Sequence, residues 1–414
     1  MPDKRITLDA VAHALGIGSA PESWAASWAA YREWVRGGGC EALGWEVPAN
    51  AGEVFDLPDE CVAALEDIFK SIRANHAFRE LAGFWHYVVY HLPEGMERNT
   101  NVWNLPDRIG GHSNKLLQLA AIASGADHAL ANFAAAGVSE ETAAITLGYI
   151  GRYARDIKDR RGVWGLESMG WLSNYARAEI FRLGRLTFRA GHCGLPFRAF
   201  VSRDTGEVAV LCEGTVKYRA DGLADGTNDI SVPDAWTPVL EISQSKIVGH
   251  PVTADCTAQR EPVSLSTAEW EQVMAPGDEI VEVHIAGGSK MAHEECVEAY
   301  RMALDFFPGY YPSMKFTGFT CWSWLLDPNL AKILPPEANI VRFQRDFHQL
   351  PVPADEGQAY DLVFGDSSID PTRVTPTTSL QRAIADYVAA GHRLRSAGGI
   401  ITWEEAVALF AQKA

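Results

Sequence analysis

The chain has 414 residues, 47% of them hydrophobic and 21% charged, which fits a globular protein of two domains and excludes a wholly disordered one. Its 53 acidic side chains outnumber 36 basic ones, giving a formal net charge of −17. That balance argues against nucleic acid and anionic membrane surfaces as partners, because both are held by cationic side chains, and leaves open only a local basic pocket for one small anion. Seven cysteines are scattered with no CxxC pair, so they read as reduced thiols, and no metal is expected. The start, Met1-Pro2-Asp3-Lys4-Arg5, leads into no apolar run, and no stretch approaches the roughly 18 apolar residues of a membrane span, so a cytoplasmic protein is expected.

In chain order, the first half has helical spacing. Pro58 to His91 carries apolar residues three and four apart and stops at Pro93-Glu94-Gly95. Ser113 to Gly125 and Ala126 to Gly137 are alanine–leucine helices broken by glycine, and Ser139-Glu140-Glu141 opens another that runs towards Lys158. Trp164 to Ile180 is a weaker helix. Near Phe181 the character changes to short runs rich in Val, Ile and Thr. Phe181–Phe188, Glu207–Tyr218, Pro238–Val248, Glu279–Ala286 and Lys315–Trp324 read as strands, with Asn339–Leu350 and Tyr360–Phe364 as two more. Helices are expected at His293–Phe307, Ser379–Ala390 and Trp403–Ala411. The fold class is α+β, an all-helical domain over residues 1–170 followed by a mixed-sheet domain over 171–414.

The chemistry concentrates between 279 and 324, in a strand, glycine turn, helix, strand unit. On period two, Glu282 and His284 share one face of the first strand, while Val281, Val283 and Ile285 share the other. Gly287-Gly288-Ser289-Lys290 then enters the helix, where backbone N–H groups can hold an anion and Lys290 adds charge. The same residues also fit an ordinary strand-to-helix turn. The second strand places Phe319, Cys321 and Ser323 on one side and Thr320, Trp322 and Trp324 on the other. Cys321 and Ser323 could serve as nucleophile or proton donor, or Cys321 could be a small buried hydrophobe. His284 is open to both readings, base or core histidine. Arg182 and Arg185 bring two guanidinium groups to the domain junction, to clamp an anion or to pair with carboxylates. His86 with His91, or His76 with Glu80, are spaced as metal ligands, but no HExxH and no second histidine pair supports them.

These residues resemble a known family. Trp171-Leu172 with Phe181-Arg-Leu-Gly-Arg-Leu-Thr-Phe188, Val283-His-Ile-Ala-Gly-Gly288 and Phe319-Thr-Cys-Trp-Ser-Trp-Leu-Leu-Asp-Pro328 are similar to bacterial acyltransferases with a helical N-acyltransferase N-terminal domain and a GNAT-like C-terminal domain. Trp103-Asn-Leu-Pro106, Asn339-Ile340 and Thr378-Ser-Leu-Gln-Arg-Ala383 extend the likeness over roughly residues 60–400. The resemblance implies two parallel strands, 279–286 and 315–324, that splay apart to admit an acyl thioester, its pyrophosphate resting on the turn after the first. The usual GNAT pyrophosphate signature is missing, and Ala286 stands where the family has proline.

The expected reaction is acyl transfer to a small-molecule amine from acyl-CoA, or from the phosphopantetheine of an acyl carrier protein. The alternatives are a ligand- or partner-binding module without turnover, or a thioester hydrolase using Cys321 or Ser323. The expected catalytic residues are His284 as base, Glu282 to orient it, and Cys321 or Ser323 as donor. Gly287, Gly288, Ser289 and Lys290 are expected to hold the cofactor, and Arg182, Arg185 and Trp324 the substrate.

Overall fold

A computed structural model describes residues 6–39, 43–93, 95–96, 98, 103, 105–287 and 290–411. Gly288 and Ser289 of the glycine turn, and Asn104, lie outside the described residues. The chain divides into two units, residues 1–182 and 183–414, the division running through the short strand Phe181–Leu183.

The first unit is helical: α1 (Leu8–Ala14), α2 (Ala25–Arg36), α3 (Asp59–Ala74), α4 (His76–Tyr90), α5 (Asn114–Ala123), α6 (Ala126–Ala135), α7 (Glu140–Arg161) and α8 (Met169–Ala176). The apolar run from Pro58 to His91 is two helices. The break is Asn75, whose backbone is extended and whose side chain caps α4 by accepting from the Phe78 N–H. Ser113 and Ser139 cap α5 and α7 in the same way. Gly162 ends α7 with φ +74, a conformation that glycine adopts at little cost. Because α8 packs on α4, α5, α6 and α7, the helical unit continues past residue 170 to Arg182.

The second unit holds a mixed sheet of β1 (Leu186–His192), β5 (Glu279–His284), β6 (Gly318–Ser323), β7 (His348–Leu350) and β8 (Ala397–Thr402), together with β2 (Phe197–Ser202), β3 (Val208–Cys212) and β4 (Trp270–Met274), which form a three-stranded sheet. The order in the mixed sheet is β7-β8-β6-β5-β1, with Phe181–Leu183 beyond β1. The run from Phe181 to Phe188 is therefore a hairpin, turned at Gly184 with φ +59. Among the described residues, β5 and β6 are the one parallel pair, and α9 (His293–Tyr310) lies between them in the chain. One face of the sheet packs on α9 and on the C-terminal helix α13 (Trp403–Phe410). Tyr300 of α9 stacks on Phe410 at 4.5 Å between centroids, and Phe319 of β6 stacks on Trp403 at 5.6 Å. The start of the other face is covered by the three-stranded sheet, Ile280 and Ile400 joining a core with Phe197, Val210 and Met274.

Two expected strands are helices. Asn339–Gln344 is α10, followed only at His348 by a strand, because the buried Gln344 amide must reach the Leu325 and Asp327 carbonyls, at 2.7 and 2.8 Å. Gly357–Phe364 is α11, which buries the adjacent Ala359 and Tyr360 and ends at Gly365 with φ +84. Residues 379–389 form α12, as the Thr378 capping box requires, and 403–410 form α13. The strand β8, between β7 and β6, is not among the expected strands; its glycines answer close packing, since a Cβ on Gly399 would lie 2.8 Å from Leu326 and 2.9 Å from Phe347.

Candidate active site

The parallel ladder between β5 and β6 is short. It pairs Val281 with Phe319 and Glu282 with Thr320, and stops there. Beyond that point β5 continues against β1, Val283 opposite Phe188 and His284 opposite Thr187, while β6 continues against β8 as far as Ser323. The two strands therefore part at their C-terminal ends, the end of a parallel pair where ligands bind in α/β sheets. This is the splay that the family resemblance implies.

Alternation along the strands sorts the candidates by face. Glu282, His284 and their register neighbours Arg189, Thr187, Thr320 and Trp322 share one face. His284 Nε2 lies 3.2 Å from Glu282 Oε2, and Arg189 stands 4.0 Å from the same oxygen. Burial raises the affinity of the Glu282 carboxyl for its proton, but the hydrogen bond with His284 and the Arg189 charge outweigh it and hold the pKa below the usual glutamate value. A Cβ at Gly191 would meet Glu282 Oε1 at 2.9 Å, so the residue opposite Ile280 leaves this carboxylate its place. The pair is half-buried: an ionised carboxylate fixing an imidazole at the mouth of the splay.

Cys321 lies on the opposite face, with Phe319, against α9. It is 3% exposed, and burial pushes its thiol up to about 12. A thiol so placed is protonated at neutral pH and is not carried by the face that holds His284. Ser323 ends β6, and its Oγ accepts the Leu325 N–H at 3.1 Å, capping the turn Trp324–Leu326. The structure thus brings together Glu282 and His284 and separates Cys321 and Ser323 from them. Trp324 is likewise placed differently from the expectation. The strand ends at Ser323, so period two no longer applies, and Trp324 is only 7% exposed, its N–H bonded to Gln358 at 2.9 Å. The tryptophan beside the splay is Trp322, 52% exposed and two residues beyond Thr320 on the His284 face.

The two junction arginines belong to different units. In the first unit, the Arg182 guanidinium lies 5.4 Å from the Tyr149 ring centroid, and burial lowers its pKa. In the second, Arg185 is 7% exposed and donates to the Ala286 carbonyl at 2.8 Å and the Lys290 carbonyl at 3.2 Å. Arg185 is therefore a strut behind the glycine turn, a position in which a substrate clamp is not expected. No peptide bond among the described residues is cis. Drawing the Ala286 oxygen inward thus turns the Gly287 N–H outward, and the Lys290 oxygen does the same for the Met291 N–H. Gly287 and Lys290 are exposed, and the first turn of α9 has no side-chain cap on its N–H groups, so the turn and helix start fit an anionic group.

One arrangement here escaped the sequence. His293, the first residue of α9, binds both carboxylate oxygens of Asp346 at 2.9 and 3.0 Å, and Arg342 pairs with Glu294 at 2.7 Å. These partners lie about fifty positions apart, beyond any local motif. A cleft of about 710 Å³ also exists in this unit, lined by Val208, Val252, Arg345 and Gln349, but none of its lining residues belongs to β5 or β6.

No helix of the described residues is long and apolar enough to cross a membrane. No curated protein matches the chain. Solved structures do. An acyltransferase in complex with decanoyl-CoA and teicoplanin aligns with a TM-score of 0.61 at 16% identity, covering 95% of this chain and 98% of the other. A mutant acyltransferase in complex with octanoyl-CoA gives 0.62 at 15% identity with the same coverage. At such identity these likenesses establish the fold. Residues 50–178 match the N-acyltransferase N-terminal domain, and residues 180–401, more than half of the chain, match the GNAT-like C-terminal domain. The chain belongs to the acyltransferase family built from these two domains in this order.

Proposed function

We propose that this enzyme transfers an acyl group from a coenzyme A thioester to an amine of a small-molecule acceptor, by direct attack at the splay of β5 and β6. The observation that carries the reading is the end of the parallel ladder at Glu282 and Thr320, with the His284–Glu282 pair at its open end. The related acyltransferases crystallised with octanoyl-CoA, and with decanoyl-CoA and teicoplanin, support a thioester donor and a small-molecule acceptor.

The His284 imidazole, held by Glu282 at 3.2 Å, would act as the base. The acceptor nitrogen attacks the thioester carbonyl carbon and gives a proton to His284. The carbon–sulfur bond then breaks, and the leaving thiolate takes up the proton that His284 received, so C–N replaces C–S, the imidazole is restored and no acyl-enzyme forms. Glu282 stabilises the imidazolium as it develops. The outward N–H groups braced by Arg185, with Lys290 and the start of α9, would receive the pyrophosphate. A carrier-protein phosphopantetheine would present the same thioester with one phosphate in place of two.

The experiment is a thiol-release assay of the purified full chain with octanoyl-CoA, decanoyl-CoA and acetyl-CoA, with and without a panel of primary amines. Thiol release that requires an amine, with an amide product seen by mass spectrometry, is the expected result. Equal release without amine would make the chain a hydrolase, and binding with no release would make it a non-catalytic module.

A further inference from the structure

The helical unit contains a second constellation, remote in sequence from the residues above. His86 and His91 are five apart, a spacing that puts them on different sides of a regular helix. His91, however, is the C-cap of α4, where the backbone leaves helical geometry (φ −128, ψ −7), and it turns back beside His86. His128, in the first turn of α6, completes the group: one ring nitrogen from each histidine lies within 4.8 Å of the other two. The ring centroids are 5.0 to 5.7 Å apart.

The hydrogen bonding of His86 fixes which nitrogen is available. Ser124 Oγ donates to the Ala121 carbonyl at 2.8 Å, so its hydrogen is committed. His86 Nδ1, 2.7 Å from that Oγ, must therefore carry the hydrogen and donate it. The lone pair then sits on Nε2, which is buried with no hydrogen-bond partner among the described residues, in a ring only 1% exposed. A buried acceptor with nothing to accept is costly unless something else supplies the bond. Burial, followed by the neighbouring histidine charges, holds His86 well below its ordinary pKa. Burial and the His128 and Arg177 charges push His91 down to about 4. Trp34 stacks over His91 at 4.9 Å and over His86 at 6.2 Å, closing the apolar side, while His128 is exposed.

We propose that His86, His91 and His128 form a zinc site, with Ser124 orienting His86 and water in the fourth position. Neutral imidazoles are suited to Zn²⁺, and a ligating histidine whose other nitrogen donates to a fixed acceptor is the usual outer-shell arrangement. Zn–N bonds of about 2.0–2.1 Å place tetrahedral nitrogens roughly 3.4 Å apart, so nitrogens that now lie within 4.8 Å of one another need approach by no more than about 1.4 Å. The ion would staple the end of α4 to the start of α6. The acyl-transfer chemistry proposed for the sheet unit uses no metal, and the three histidines belong to the helical unit.

The test uses the full chain with any affinity tag removed and metal stripped by chelation. Co²⁺ serves as the spectroscopic probe and Zn²⁺ as the stabilising ion. Expected are one equivalent of Co²⁺ with visible d–d bands of a four- or five-coordinate site, and a Tm raised by several degrees with Zn²⁺. His128→Ala, a change at an exposed position, abolishes both signals. His13→Ala, exposed on α1, keeps both. Absence of saturable Co²⁺ binding, or binding and Tm shift that persist in His128→Ala, would overturn the proposal whether or not His86→Gln folds.

Discussion

The two faces of β5 and β6 are made by the same twelve residues and do opposite work. On the face toward α9, Val281, Val283, Phe319 and Cys321 are buried, and each is an ordinary core position. On the other face, Ile280 starts in the core, but two and four residues on the chain places Glu282, at the last rung of the ladder between the strands, and His284, beyond it. The difference teaches that the position along the strand matters as much as the face. A polar pair is tolerated here because the pairing of β5 with β6 ends at Glu282, so the site needs no cavity cut into a packed core. It also separates the roles of two residue types that are both capable of nucleophilic or basic chemistry, since the thiol belongs to the packed face and the imidazole to the open one.

The largest effect that tests this contrast is on stability. Phe319→Ala removes an aromatic ring packed on Tyr300 and Trp403, and should cost about 3–5 kcal/mol, measured as a loss in urea midpoint. A loss of under about 1 kcal/mol would mean that the α9 face is not the core of this unit. Next, Glu282→Gln should lower kcat about tenfold or more with KM little changed, because the imidazolium loses its counter-charge in the transition state. An unchanged kcat would detach Glu282 from the chemistry. Arg185→Met should act on the other side of the comparison, raising KM for the thioester several-fold with a smaller change in kcat, because the braced turn meets the donor and not the reacting carbon. If kcat falls and KM holds, the strut serves catalysis instead.

The smallest effect is a pH slope. Burial pushes Asp327 up to about 6, against the charges of Arg395 and Lys332 and the N–H groups it accepts. Its unfolded value is about 3.9, so the folded chain binds more protons between these limits and stability falls as pH rises from roughly 4 to 6. Asp327→Asn should flatten that part of the stability profile in urea titrations at successive pH values. An unaltered slope would show that Asp327 is not raised.

Much of the fold could be read from sequence where the determinant was local. Ser139-Glu140-Glu141 gave the start of α7 through capping chemistry, and the alternation in Glu279–His284 placed Glu282 and His284 on one face. Where the determinant was distant, sequence misled. Nothing near Asn339 shows that Gln344 will bond the carbonyls of Leu325 and Asp327, and nothing near Gly399 shows that Leu326 and Phe347 will press against it in a strand. The site divides likewise. The His284–Glu282 pair is a matter of period two, but the choice between Trp322 and Trp324 depended on where β6 stops, and Arg185 on a turn a hundred residues away.

The central claim is that the open face, through His284, carries acyl transfer. The direct measurement is kcat for amine-dependent thiol release in His284→Ala beside Cys321→Ala, with both variants shown by circular dichroism to be folded. The account predicts a fall of about a hundredfold or more for His284→Ala and near-normal turnover for Cys321→Ala, with no acyl-enzyme trapped in either. Near-normal turnover in His284→Ala, with loss of turnover in Cys321→Ala and a trapped acyl group in the parent chain, would contradict it.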